Sequence, residues 1–182
     1  MNPASNLILI GPMGAGKTSV GRRVARATGL DFVDVDQLLE QRTGASVNLI
    51  FELEGEAGFR RRESELLAEI CADDDQLIAT GGGAVLDADN RSLLKRSGFV
   101  IFLDLSVDQQ LMRLSRDRTR PLLQAPDRRK RLLAMAEQRR PLYLEVADLV
   151  LDSNGLSAPR ASQRLLALLD GRWQREEAGH AA

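Results

Sequence analysis

Short apolar runs alternate with longer amphipathic stretches along this chain. Leu7-Ile8-Leu9-Ile10 has no polar member and stops at Gly11, which predicts a strand buried on both faces. The stretch 17–28 carries Val20 and Val24 on one helical face and ends at Gly29, a helix with a glycine stop. Phe32 to Asp36 reads as a second strand, and Leu38 to Thr43 as a helix running into Gly44. Ser46 is placed to cap a helix carrying Leu49, Ile50 and Leu53. Phe59, Leu66 and Ile70 share one helical face over 56–71. Leu77-Ile78-Ala79, Phe99 to Leu103 and Leu149-Val150-Leu151 supply three more strands, and a helix over 158–169 follows the last. Strands alternating with helices predict βαβ units, hence an α/β fold whose parallel sheet is covered on both faces. Ligands of such sheets bind beyond the carboxyl ends of the strands. The residues just after strands are therefore where chemistry is expected.

At 182 residues and 20.0 kDa the chain is long enough for one domain with a self-sufficient core. The pattern places that domain in residues 1–170. The polar, small-residue tail 171–182 is expected to fray, with Trp173 as a patch on the core edge. A net charge of −1 argues against a general nucleic-acid binder. The single cysteine, Cys71, excludes an internal disulfide and a cysteine zinc cage, and reads as a small buried hydrophobe. The single histidine, His180, stands near the end and leaves no basis for a histidine metal site or a Ser-His-Asp triad. No Lys or Arg precedes Lys17, and no apolar run approaches the roughly 20 residues of a membrane span, so a cytoplasmic protein is expected. The size and the lack of an apolar surface stripe favour a monomer. What remains for chemistry is carboxylates, Lys, Arg, hydroxyls and backbone amides.

Gly11-Pro12-Met13-Gly14-Ala15-Gly16-Lys17-Thr18 fits G-x-x-x-x-G-K-[ST] between a predicted strand and a predicted helix, the context that makes the pattern a phosphate-binding P-loop. Glycines let the backbone N–H groups of Gly14, Ala15, Gly16 and the first helical residues through Ser19 wrap phosphates. The helix N-terminus adds partial positive charge. Lys17 is expected to reach the β- and γ-phosphates of ATP, and the Thr18 hydroxyl to ligate Mg²⁺.

The acceptor side is less specific. Asp34 and Asp36 stand at i and i+2 of the second strand, so both side chains should project the same way. They read either as a metal- and substrate-facing pair or as ordinary caps of the next helix. Only one of Arg60, Arg61 and Arg62 can face a cleft, and composition does not say which. Gly81-Gly82-Gly83 after the third strand suits a ligand lying against the backbone. Asp104, after Phe99 to Leu103, competes with Asp34 as the metal-side carboxylate. Residues 113–140 hold ten basic residues against three acids, a solvated helix face or an element that closes over polyphosphate.

Taken in order, Gly-Pro-Met-Gly-Ala-Gly-Lys-Thr from Gly11, Asp34-x-Asp36, Phe59-Arg60, Gly81-Gly82-Gly83, Arg120-Pro121-Leu122-Leu123 and Arg139-x-Pro141-Leu142-Tyr143 resemble shikimate kinase over residues 6 to about 170. The resemblance implies a P-loop NTPase-type three-layer sandwich with five parallel strands in the order 2-3-1-4-5 and a mobile lid at about 113–127. It implies phosphate transfer from MgATP to the 3-hydroxyl of shikimate, giving shikimate 3-phosphate and ADP. Asp36, Arg60, Arg139 and the glycines 81–83 then fall where the family holds shikimate, and the two guanidiniums suit its carboxylate. Asp36 is the candidate base, Asp34 and Thr18 fall at the Mg²⁺-linked positions, Arg120 in the lid, and Arg113 where the family packs an arginine on adenine. Arg116 and Arg118 match no assigned role. A gluconate kinase would share the cradle without needing both Arg60 and Arg139. A nucleotide-binding regulatory domain without catalysis would be free to lose Lys17, Asp36 or Arg120, and all three are present.

Overall fold

The computed structural model describes residues 2–115 and 127–175. The elements run β1 (Asn2–Ala4), β2 (Leu7–Ile10), α1 (Lys17–Thr28), β3 (Asp31–Asp34), α2 (Val35–Thr43), α3 (Val47–Ile70), β4 (Gln76–Ala79), a 3-10 turn (Ala84–Leu86), α4 (Ala88–Ser97), β5 (Phe99–Asp104), α5 (Val107–Leu114), α6 (Arg128–Val146), β6 (Leu149–Asp152), α7 (Ala158–Leu169) and β7 (Trp173–Arg175). The main sheet is parallel and ordered β3-β4-β2-β5-β6. Counted from β2, that is 2-3-1-4-5, as the resemblance implied.

Period-2 alternation divides the core into two layers. Leu7 and Leu9 face one side and pack with Val20, Val24, Leu165 and Leu169 of α1 and α7. Ile8 and Ile10 face the other and pack with Leu39, Phe59, Leu67, Leu94 and Tyr143 of α2, α3, α4 and α6. The four β2 side chains are fully buried, and each contributes on the order of 1.5–3 kcal/mol of hydrophobic stabilisation. A smaller cluster joins Met13 of the P-loop to Leu114 and Leu132 of α5 and α6.

Three expectations are corrected. The second strand ends at Asp34, not Asp36. The Asp34 carboxylate accepts the Gln37 N–H and starts α2 at Val35. Asp36 therefore lies in the first turn of a helix, and the same-face argument for two strand carboxylates does not apply. The tail does not fray at Gly171. Trp173 to Arg175 pair in parallel with Asn2 to Ala4, Trp173 Nε1 donates to the Ala4 carbonyl at 2.9 Å, and Arg175 Nε donates to Asp75 at 2.7 Å. The indole packs on the core edge, as the sequence suggests. Cys71 is half-buried at the end of α3 rather than within the core. Ser46 does cap α3, but the helix runs through to Ile70 with a break at Gly55, whose φ of 69° is glycine's left-handed region. Among the described residues, no helix is long and apolar enough to cross a membrane.

The contact of α1 with the sheet yields a prediction. A Cβ on Gly21 would lie 2.6 Å from Phe32 Cε2, 3.1 Å from Leu77 Cδ2 and 3.2 Å from Leu9 Cδ1. Gly21→Ala gains about 1 kcal/mol of helix propensity but overpacks this contact by about 1–3 kcal/mol. The expected outcome in urea denaturation is a lower midpoint. A raised midpoint would show that helix and sheet separate at little cost.

Candidate active site

The P-loop leaves the carboxyl end of β2 and opens α1. Gly14 (φ 79°) and Gly16 (φ 92°) take left-handed backbone that a side chain would strain. Lys17 folds back on its own loop, with Nζ donating to the carbonyls of Gly11 at 2.6 Å and Pro12 at 3.0 Å. The Thr18 hydroxyl donates to Asp34 Oδ2 at 2.5 Å. One carboxylate thus caps α2 with one oxygen and reaches the P-loop helix with the other. Ala15 is buried, and Ser19 lies exposed in the first turn of α1. Helix α5 holds the loop from outside. Gln110 Nε2 donates to the Met13 carbonyl at 3.0 Å, and Arg113 Nη1 to the Gly14 carbonyl at 2.9 Å. Arg113 Nη2 also donates to Ser153 and Leu156 carbonyls beyond β6. The guanidinium fork therefore ties the loop to the β6–α7 connection. Gln110 carried no local sequence signal.

Asp104 is occupied elsewhere. Its Oδ2 accepts from Arg140 Nη2 at 2.8 Å, and its carbonyl accepts from both Ser153 N and Ser153 Oγ. Asp34 is the carboxylate that meets Thr18. A hydroxyl and a carboxylate are hard oxygen donors of the kind Mg²⁺ takes, and that ion keeps several waters and draws remaining ligands from phosphates. The pair fits such an ion. Among the described residues, no cluster of three or more His, Cys, Asp or Glu side chains would hold a metal by itself.

Opposite the P-loop, two guanidiniums converge on the glycine loop after β4. Thr80 anchors that loop, its N–H and hydroxyl both donating to the Leu9 carbonyl of β2. A Cβ on Gly82 would lie 3.5 Å from the Gly11 carbonyl, 3.6 Å from Met13 N and 3.6 Å from Arg139 Nη1. Gly82 thus sits between the phosphate loop and Arg139. A Cβ on Gly83 would overlap the Arg60 guanidinium, and one on Gly81 would overlap Glu63 and approach Asp36 Oδ1 to 3.2 Å. Arg60 is the inward member of its run, since Arg61 is exposed and Arg62 pairs with Glu54. Arg139, 6% exposed, comes from α6. Burial pulls its pKa down, and the Arg60 charge adds to that pull. The Nε atoms of Arg60 and Arg139 are both buried with no hydrogen-bond partner among the described residues. Two cations facing one space, each with a donor unspent, suit a bound carboxylate. Arg120, Arg116, Arg118 and most of the lid at 113–127 lie outside the described residues.

Glu63 is the residue that sequence reasoning missed. It is fully buried and accepts from Arg60 Nη1 at 2.6 Å. The signal was its place three residues after Arg60 on one helix face. Burial pushes its carboxyl pKa up, the neighbouring Asp36 charge adds to this, and Arg60 opposes it. The folded state therefore binds the Glu63 proton more tightly than the unfolded chain does, which stabilises the fold at low pH. That stability is fully present below the ordinary glutamate pKa of about 4.3 and is lost as pH rises through the raised folded value. The stability advantage of the native protein over Glu63→Gln should shrink across that window in urea titrations run at stepped pH. A difference that stays flat with pH would mean that Arg60 keeps Glu63 ionised throughout.

Comparison with known proteins agrees with this geometry. The family model described as shikimate kinase matches residues 13–170. A curated shikimate kinase from Stenotrophomonas maltophilia is 55% identical over 177 residues, which is 97% of this chain and 98% of that protein. The solved structure of shikimate kinase from Acinetobacter baumannii in complex with shikimate superposes with a TM-score of 0.89 at 43% identity, covering 92% of this chain and 94% of that one. A gluconokinase from Sinorhizobium meliloti covers 93% of each chain at a TM-score of 0.63 and 20% identity, which is a likeness of fold alone. With a glycine cradle on one side and paired guanidiniums on the other, in a chain matched over nearly its whole length, this protein belongs to the shikimate kinase family.

Proposed function

We propose that this protein transfers the γ-phosphate of ATP to the 3-hydroxyl of shikimate, giving shikimate 3-phosphate and ADP, and that it does so as a single kinase domain and a monomer. The observation that carries the proposal is the pair Arg60 and Arg139, the first half-buried and the second buried, mutually repelling and each with a buried, unspent Nε donor, across the glycine loop from the P-loop. Shikimate brings the one carboxylate that such a pair accepts, and its ring hydroxyls reach toward Asp36 and the loop 81–83. In this reading the 3-hydroxyl oxygen bonds to the γ-phosphorus, the bond to the β–γ bridging oxygen breaks, and Asp36 orients the hydroxyl and takes up its proton.

Charge stabilisation carries the rate in such a reaction. Lys17 exchanges the Gly11 and Pro12 carbonyls for β- and γ-phosphate oxygens. The loop amides of Gly14, Ala15, Gly16, Thr18 and Ser19 are assigned to phosphate oxygens, the Ala15 N–H exchanging its present bond to the Pro12 carbonyl for one of them. Thr18 and Asp34 would hold Mg²⁺, which when bound neutralises phosphate charge. Arg113, fixed by three carbonyls, is assigned to the adenine side, and Arg120 to the transferred phosphate.

ADP release from MgATP with shikimate, gluconate or no acceptor tests the reaction. Release that requires shikimate is expected, and release that requires gluconate would overturn the carboxylate clamp. Lys17→Ala should lower turnover on the order of 100-fold or more, and turnover close to the native rate would sink the cradle assignment. Arg139→Ala should weaken shikimate binding on the order of 30-fold or more while leaving ATP binding nearly intact. Equal losses for both ligands in calorimetric titration would point to a structural role.

A further inference from the structure

Tyr143 closes the run Arg139-x-Pro141-Leu142-Tyr143, and none of the roles above uses it. It is 2% exposed. Its ring is stacked on Phe102 of β5, with centroids 4.9 Å apart and planes 28° apart. The hydroxyl donates to the Gly82 carbonyl at 2.5 Å, joining α6 to a loop 61 residues away. Burial pushes its pKa up to about 12, with Arg139 opposing, so the hydroxyl stays protonated and a donor through the neutral range.

The loop's other carbonyls are satisfied within the turn. Ala84 N donates to the Gly81 carbonyl and Leu86 N to the Gly83 carbonyl. The Gly82 carbonyl instead reaches across to another element. A trans peptide is planar, so holding that oxygen fixes the plane of the Gly82–Gly83 peptide and turns the Gly83 N–H the opposite way. These two residues are the ones that the guanidiniums rest on, Gly82 against Arg139 and Gly83 against Arg60. Arg139 stands four residues before Tyr143, one turn along the same helix face, and the two side chains interact. One phenol therefore bonds the loop on which both guanidiniums rest and interacts with Arg139 itself.

We infer that Tyr143 is a positioning residue for shikimate. By pinning the Gly82 carbonyl, its hydroxyl sets the height of the glycine loop against Arg60 and Arg139, and so the spacing of the carboxylate site. This rests on the shikimate reading above. It concerns the acceptor side first, because the tie runs to the glycine loop, whereas the P-loop carbonyls of Met13 and Gly14 have their own holds from α5.

The test is Tyr143→Phe, which keeps the ring and removes the hydroxyl. The KM for shikimate should rise about tenfold with the KM for ATP little changed, while the Gly82 carbonyl left without its donor also lowers the melting temperature. An unchanged shikimate KM, or equal rises for both substrates, would overturn the proposal. Phe102→Leu is the second variant, because it loosens the seat of the ring and leaves the hydroxyl in place. It should lower the melting temperature and spare the shikimate KM. A shikimate KM raised as much as in Tyr143→Phe would assign the effect to ring packing and overturn the positioning role. Absence of shikimate-dependent ADP release in the native protein would instead sink the shikimate reading itself. Release in the native protein with no change in Tyr143→Phe sinks only the role given to Tyr143.

Discussion

Strand β2 is packed on both faces and paired on both edges, and its four side chains have no exposed surface. A slip of one residue would exchange Leu7 and Leu9 with Ile8 and Ile10 between the two core layers, so its register is strongly specified. Everything at its carboxyl end inherits that certainty. The P-loop starts one residue after Ile10, and Gly11 lies so close to β5 that a Cβ would come within 2.6 Å of the Leu103 carbonyl. On the other side, Thr80 is bonded twice to Leu9. Parallel strands deliver their following loops to one end of the sheet. A phosphate loop and a glycine loop therefore meet there.

The electrostatics of that meeting place are unfinished. Arg60 and Arg139 share a poorly solvated space, in which Glu63 bonds Arg60 and Tyr143 interacts with Arg139. Burying like charges together opposes folding, and buried donors left without partners cost more. Lys17 donates to the Gly11 and Pro12 carbonyls. The Arg60 and Arg139 half of the site is thus built to gain more from a negatively charged ligand than from its own surroundings.

Different parts of this arrangement were legible to different degrees. The P-loop could be read because it is contiguous: glycines, a lysine and a threonine at fixed spacing between a strand and a helix. The five main strands and the helices α1 and α7 were legible from periodicity. The end of β3 was not, because Val33, Asp34, Val35 and Asp36 alternate like a strand while the Asp34 side chain captures the Gln37 N–H and turns the chain into a helix. β7 was missed for the opposite reason. Trp173-Gln174-Arg175 has little strand character of its own and is held by β1, at the other end of the sequence.

The sequence by itself determined the alternation of strands and helices, the phosphate cradle and the stock of charged residues available to it. These depend on period and on neighbours within a few positions, where backbone geometry is local. The family resemblance named Arg60 and Asp34, but no local pattern singled them out; the tertiary structure turns Arg60 inward, brings Asp34 and not Asp104 to Thr18, buries Glu63 beside Arg60 and carries Tyr143 to Gly82. Each of these choices joins a side chain to an element far away in the chain. Such meetings are set by sheet order, by which helix face is buried and by the space a missing Cβ leaves, none of which a local pattern encodes.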